Sequence, residues 1–252
     1  MITSPQNQHL KLIRGLLSQP KIRRKEEKFV LEGVRLVEDA LSIDVKPEVI
    51  LYRHGAEESL ASLLGKFESR GVPCLAVEPA LFDDIADTDT PQGIIAICPW
   101  LNLTPPDPMD FVLIFDELRN PGNLGSALRT ATAVGVDAVI VAPGSVDPYN
   151  PKVVRGAMGS HLRVPVLQWD WEQITAEGLS LFVAQMGGAV SIYEVDWRQP
   201  CGIIIGGEAH GPQRQALQLA TENVYIPMVG GESLNAAVAA SVILYEVFRQ
   251  RL

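Results

Sequence analysis

Apolar positions along the chain recur with two different periods. Leu10, Ile13, Leu16 and Leu17 repeat at helical spacing, and Pro20 breaks the run. EKFVLEG then reads as a short strand and VRLVEDALS as a helix with Val34, Val37, Ala40 and Leu41 on one face. PEVILYR, VPCLAVE and GIIAICPW are predicted strands. Between them lie the helical patterns EESLASLLGKFESRG, with Gly71 as its C′ residue, and ALFDDIADT. About a hundred residues of α and β in alternation result.

The prolines Pro105, Pro106 and Pro108 in WLNLTPPDPMD stiffen the chain and forbid regular structure there. Residues 99–108 are therefore the expected linker between a domain 1–98 and a domain 109–252. In the second part FVLIFDEL, DAVIVAP, RVPVLQ, SLFVAQM, GIIIGG and NVYIPM read as strands. GSALRTATAVG, VVRGAMGSHL and ESLNAAVAASVILYEVFRQRL read as helices. These strands are near-continuous apolar runs, the pattern of a parallel sheet covered on both faces.

Composition narrows the class. With 47% apolar residues the chain has material for sizeable cores. No run approaches the ~20 apolar residues of a membrane span, and MITSPQNQHLKL has no signal-peptide core. Cys74, Cys98 and Cys201 have no ligand spacing and read as buried thiols of a cytosolic protein. The net charge of −9 disfavours a polyanion partner. Residues 1–28 run the other way, with seven Lys or Arg against two Glu. A local basic segment can hold phosphate on an acidic protein, because salt screens charges beyond about 10 Å. It can equally be a solvated helix face.

The stretch RNPGNLGSALRTATAVG, residues 119–135, follows the strand FVLIFDEL. Ligands of open parallel sheets sit beyond the carboxyl ends of strands, and this turn is such an end. Gly122 and Gly125 let backbone approach a ligand, and Asn123 is a candidate N-cap for the helix. The spacing matches neither a dinucleotide fingerprint nor a P-loop. Leu124, Ala127, Leu128 and Ala131 form the apolar face. Arg129 lies off that stripe, four residues after Gly125, so its guanidinium is expected over the turn.

Two later strand ends repeat the combination of glycine and polar groups. IIIGGEAHGP holds Gly206, Gly207, Glu208 and His210; VYIPMVGGESLNAAVAA holds Ser233 and Asn235. One His and one Glu are too few for a metal site, and no metal is expected. No G-x-S-x-G elbow supports a hydrolase, and Ser233 is explained as the N-cap of the last helix. Ala236, Ala237, Ala239 and Ala240 would let another backbone approach, in the same chain or a partner. A noncatalytic RNA-binding module and a nucleotide-dependent enzyme are alternative readings.

Three motifs stand in order: N-P-G-N-x-G-x-x-x-R-T-A, G-G-E-x-x-G-P and I-P-M-x-G-x-x-S-L-N-A-A-V-A-A. Together they resemble the SpoU/TrmH family of RNA 2′-O-ribose methyltransferases in the SPOUT superfamily. The resemblance covers roughly residues 108–252. ITSPQNQHLKLIRGLLSQPKIRRKEEKFVLEGVRLVEDAL is similar to the start of the family's small N-terminal substrate-binding domain. The resemblance implies an α/β parallel-sheet catalytic domain with a C-terminal trefoil knot, beside a small α/β RNA-binding domain. It implies S-adenosylmethionine held by Met186, Gly187, Gly206, Gly207, Ile226, Met228 and Leu234. It implies a catalytic set of Arg129, Asn123, Glu208, Ser233 and Asn235. Lys152 and Arg155 in NPKVVRGAMGS, with Arg23, Arg24 and Lys25, become candidate RNA contacts. A cytoplasmic homodimer joined through the C-terminal domain is implied, acting on rRNA sooner than tRNA.

Overall fold

The computed structural model describes residues 1–252 and divides into two units. The first comprises Met1–Leu101 together with Tyr149–Leu162; the second comprises Asn102–Pro148 and Arg163–Leu252. The segment Tyr149–Leu162 thus lies with the first unit, although it falls inside the expected domain 109–252. Tyr149, Val154 and Leu162 explain why: they are buried in the first unit's core, and the Tyr149 ring stacks on Trp100 at 4.6 Å. The sequence pattern identifies these residues as apolar but cannot say which core receives them.

In the first unit the elements follow as α1 (Gln8–Ser18), α2 (Pro20–Glu26), β1 (Lys28–Glu32), α3 (Val34–Ser42), β2 (Val49–Arg53), α4 (Glu57–Ser69), β3 (Cys74–Val77), α5 (Pro79–Ile85) and β4 (Ile94–Pro99). The sheet order is β1-β4-β2-β3, with β4 antiparallel to both neighbours and β2 parallel to β3. Successive side chains feed opposite faces. Phe29, Leu31, Ile50, Ile94, Ala96 and Cys98 enter one core; Val30, Val49, Leu51, Ile95 and Ile97 enter the other. Both faces are covered, so β4 is a continuous apolar run although it is antiparallel. Gly71 takes the predicted C′ place, with φ +74°. Pro20 ends α1 and also opens α2 at its first turn, where a missing N–H costs nothing.

In the second unit the chain builds β5 (Phe111–Asp116), α6 (Pro121–Val134) and β6 (Ala138–Val141) before α7 (Pro151–Ala157) leaves for the first unit. It returns through β7 (Val166–Leu167), α8 (Trp171–Ala176), β8 (Ser180–Ala184), β9 (Val190–Ser191), β10 (Cys201–Gly206), α9 (Arg214–Leu219), β11 (Glu222–Tyr225) and α10 (Ala236–Arg251). The sheet order is β7-β6-β5-β10-β8-β11-β9, and every pair is parallel. Strand order reverses between β5 and β10, which opens a crevice beyond their carboxyl ends. The periodicity gave no sign of α8, β9 or α9, which are short. α8 is set by a complete capping box between Asp170 and Gln173.

Two cap assignments change. Asn120, not Asn123, caps α6: its Oδ1 accepts from Gly122 N at 2.8 Å, with Pro121 inside the first turn. Asn235, not Ser233, caps α10, accepting from Ala237 N at 2.9 Å. Both shifts release a polar side chain for other work.

Candidate functional site

Four chain segments meet around one cavity of about 690 Å³ in the second unit. The end of β8 contributes Met186 and Gly187, and the end of β10 contributes Gly206, Gly207 and Glu208. The loop after β11 brings Ile226, Met228, Ser233 and Leu234, and α10 begins there at Asn235. The seven residues expected to hold the cofactor therefore line a single cavity. Sequence reasoning missed Gln185 and Tyr225, which also line it; their place at strand ends was the available signal. The size and the mostly apolar lining, with a few polar groups, suit a nucleoside-sized ligand.

Glycine is required where segments cross. A Cβ on Gly207 would come within 2.5 Å of the Glu117 carbonyl oxygen, and one on Gly188 within 2.6 Å of the Val224 carbonyl carbon. A Cβ on Gly206 would collide with the backbone of Gly211 and Pro212. Glu117 itself sits at φ +53°, a left-handed conformation that L-residues other than Gly, Asn and Asp seldom adopt.

At the cavity's edge three side chains form a hydrogen-bonded row. Asn235 Nδ2 donates to Asn123 Oδ1 at 2.9 Å, and Asn123 Nδ2 donates to Glu208 Oε1 at 2.7 Å. Asn235 Oδ1 accepts from the first amides of α10. The row ties α6, α10 and the β10 loop, so Asn123 holds the loop as expected though not as a cap. Burial pushes the Glu208 carboxyl up, but donation by Asn123 and by the main-chain N–H groups of Glu208, Arg119 and Asn120 outweighs it. Glu208 is held below the usual carboxylate range and is an anion at neutral pH.

Arg129 is exposed on α6 and makes no hydrogen bond or ion pair within the chain. It does not line the cavity. Of the helix alanines expected to admit another backbone, Ala236, Ala237 and Ala240 are buried within the chain itself, where α10 packs on α6. The α10 surface left open carries Val238 and Tyr245.

In the first unit one expectation fails. Arg23 is not available to RNA: it is 1% exposed, and its guanidinium donates to the carbonyl oxygens of Leu16 and Leu17. It closes the C-terminal end of α1, whose last carbonyls lack helical partners. Arg24 and Lys25 are exposed, Lys25 lying 3.4 Å from Glu26. On α7, Lys152 is exposed and Arg155 is ion-paired with Asp87.

A parallel α/β sheet with a cavity beyond the carboxyl ends of β10, β8 and β11, glycine crossings and a polar row defines the SPOUT class of methyltransferase fold. The chain belongs to the SpoU rRNA Methylase family, whose profile matches residues 110–245; an MRM3-like substrate binding domain matches residues 7–96. It is 33% identical over 98% of its length to the 23S rRNA (guanosine(2553)-2'-O)-methyltransferase RlmP of Bacillus subtilis (strain 168), covering 98% of that protein. An AdoMet-bound rRNA methyltransferase from Sinorhizobium meliloti superposes with TM-score 0.86 at 29% identity, over 100% of this chain and 98% of that one. The SpoU methyltransferase AviRb from Streptomyces viridochromogenes, in complex with AdoMet, gives TM-score 0.86 at 29% identity, with 98% of each chain covered.

Proposed function

We propose that this protein methylates a ribose 2′-hydroxyl of large-subunit ribosomal RNA from S-adenosylmethionine. One observation carries the reading: the end of β8 and the second and third motifs line one cavity, and Asn123 of the first motif is bonded to Glu208 and Asn235 at its edge. The first unit, similar over residues 7–96 to a substrate binding domain, supports rRNA over tRNA.

When bound, S-adenosylmethionine supplies an electrophilic methyl group. The chain's own groups do the rest. The cavity walls from Met186, Gly187, Gly206, Gly207, Ile226, Met228 and Leu234 hold the cofactor and exclude water. Arg129 grips the phosphate beside the target ribose, since a planar fork suits phosphate oxygens. It also stabilises charge developing on the attacking oxygen. Arginine stays protonated, so it orients and does not take the proton. Glu208 is a weak base because its hydrogen bonds favour the anion; its part is to fix Asn123 and the β5–α6 turn. The proton leaves to phosphate or water. Ser233, on the cavity wall, faces the ribose with Asn235.

The working form is a cytoplasmic homodimer in which the open α10 surface meets its copy, and the crossings at Gly188, Gly206 and Gly207 belong to a trefoil knot. Arg24, Lys25, Lys152 and Arg155 contact RNA. The test is incubation with methyl-labelled S-adenosylmethionine and unmodified 23S rRNA. Label in alkali-resistant dinucleotides is expected. Label on a base, or none, removes the reading.

A further inference from the structure

The β5–α6 turn carries a second exposed arginine that no motif singled out. Arg119 follows the left-handed Glu117 by two residues, and its main-chain N–H faces the Glu208 carboxylate. Its side chain is 70% exposed, held only by a 3.4 Å approach to Glu117 Oε2. The main chain is thus anchored at the cavity's edge while the guanidinium projects into solvent.

Charge around the crevice makes this position consequential. Asp116, Glu117, Glu208 and Glu232 all lie on the segments that end there, in a chain of net charge −9. A phosphodiester approaching Glu208 meets like charge at short range, where salt screens least. Arg129 is one free cation, and each ribose in RNA has a phosphate on either side.

We propose that Arg119 is a substrate-binding residue, exchanging its loose contact with Glu117 for a phosphate of the RNA backbone next to the target nucleotide. The inference rests on the RNA-methylating function above, but not on any role of Arg129. The exchange costs little, because an exposed ion pair at this distance adds little to stability. It also gives Glu117 a function: the carboxylate parks the guanidinium until RNA arrives.

The test is binding of in vitro transcribed 23S rRNA by the full chain with S-adenosylhomocysteine present, at several salt concentrations. Arg119→Ala should weaken binding roughly tenfold and reduce the slope of log affinity against log salt by about 0.7–0.9. Arg119→Lys should keep the slope and lose only part of the affinity. Glu117→Gln should tighten binding. Affinity for S-adenosylhomocysteine and the melting temperature should not move in Arg119→Ala. Unchanged RNA affinity and slope would overturn the proposal. So would a parallel loss of cofactor affinity, since Arg119 would then act through Glu208 as a structural residue. Wild-type protein that binds the transcript but transfers no methyl to it would remove the function proposed above; the binding comparison would still decide Arg119.

Discussion

The two units use their hydrogen-bonded polar side chains in opposite ways. In the first, Arg23 and Glu32 are turned onto the unit's own backbone. Arg23 closes α1, and Glu32 accepts from Asp87 N, Thr88 N and the Thr88 hydroxyl, organising the loop before β4. In the second, Asn123, Glu208 and Asn235 bond to one another at a cavity wall, and Arg129 is left free. The same residue types hold a fold in one unit and assemble a site in the other. What separates them is where the strand ends point: the parallel sheet gathers its loops at one crevice, whereas the mixed sheet sends strand ends to both edges.

That contrast breaks most readily at the two arginines. Arg129→Ala should cut methyl transfer by about 10²–10³-fold, with melting temperature and cofactor binding unchanged; near-normal turnover would return Arg129 to the solvated surface. Arg23→Ala should cost roughly 2–4 kcal/mol of stability in denaturant unfolding, because buried carbonyls lose a charged donor. Arg24→Ala, one residue on, should stay within about 0.5 kcal/mol. Equal effects of the two would refute the assignment of Arg23 as a helix-closing residue.

Two carboxyls sharpen the comparison with smaller effects. Glu32→Gln should destabilise by about 1–2 kcal/mol through lost acceptance at one oxygen, without altering cofactor affinity. Asp116, at the end of β5, is fully buried; Oδ2 accepts from Gln213 N at 2.6 Å and Oδ1 has no partner. Burial, helped by Glu117, raises its pKa against the opposing hydrogen bond from Gln213. A raised carboxyl favours the folded state fully below the unfolded value of 3.8, and that contribution is lost as pH rises through the folded value. Asp116→Asn should therefore gain about 1 kcal/mol at neutral pH and none near pH 3. Glu208, held low, behaves in reverse: its hydrogen bonds support the site above its ordinary value of 4.5 and fail as pH falls through the folded value. Cofactor binding followed down to pH 3 should decline only at that acid end.

Much was legible from residues alone. Strand and helix periods located the principal elements, because burial selects side chains at spacing 2 or 3.6. The glycine-bearing strand ends marked the segments that form the cavity, because backbone crossings exclude a Cβ. Chemistry at a cap was less legible: Asn120 and Asn123 are the same residue type three positions apart, and only the chain direction entering α6 decides which one caps. Arg23 and Arg24 are likewise indistinguishable in composition, yet one is buried and one solvated, because α2 presents a single face to α1.

The amino-acid sequence by itself determined the alternation of elements, the apolar strands and the family motifs, since these depend on local spacing and residue type. Tertiary structure alone decided that Tyr149–Leu162 joins the first unit, that Asn123 meets Glu208 and Asn235, and that Arg23 is sealed away. Each of those depends on groups brought together across long stretches of chain, 85 residues between Asn123 and Glu208 and 112 between Asn123 and Asn235. No local pattern encodes such a meeting; the packing of the sheet does.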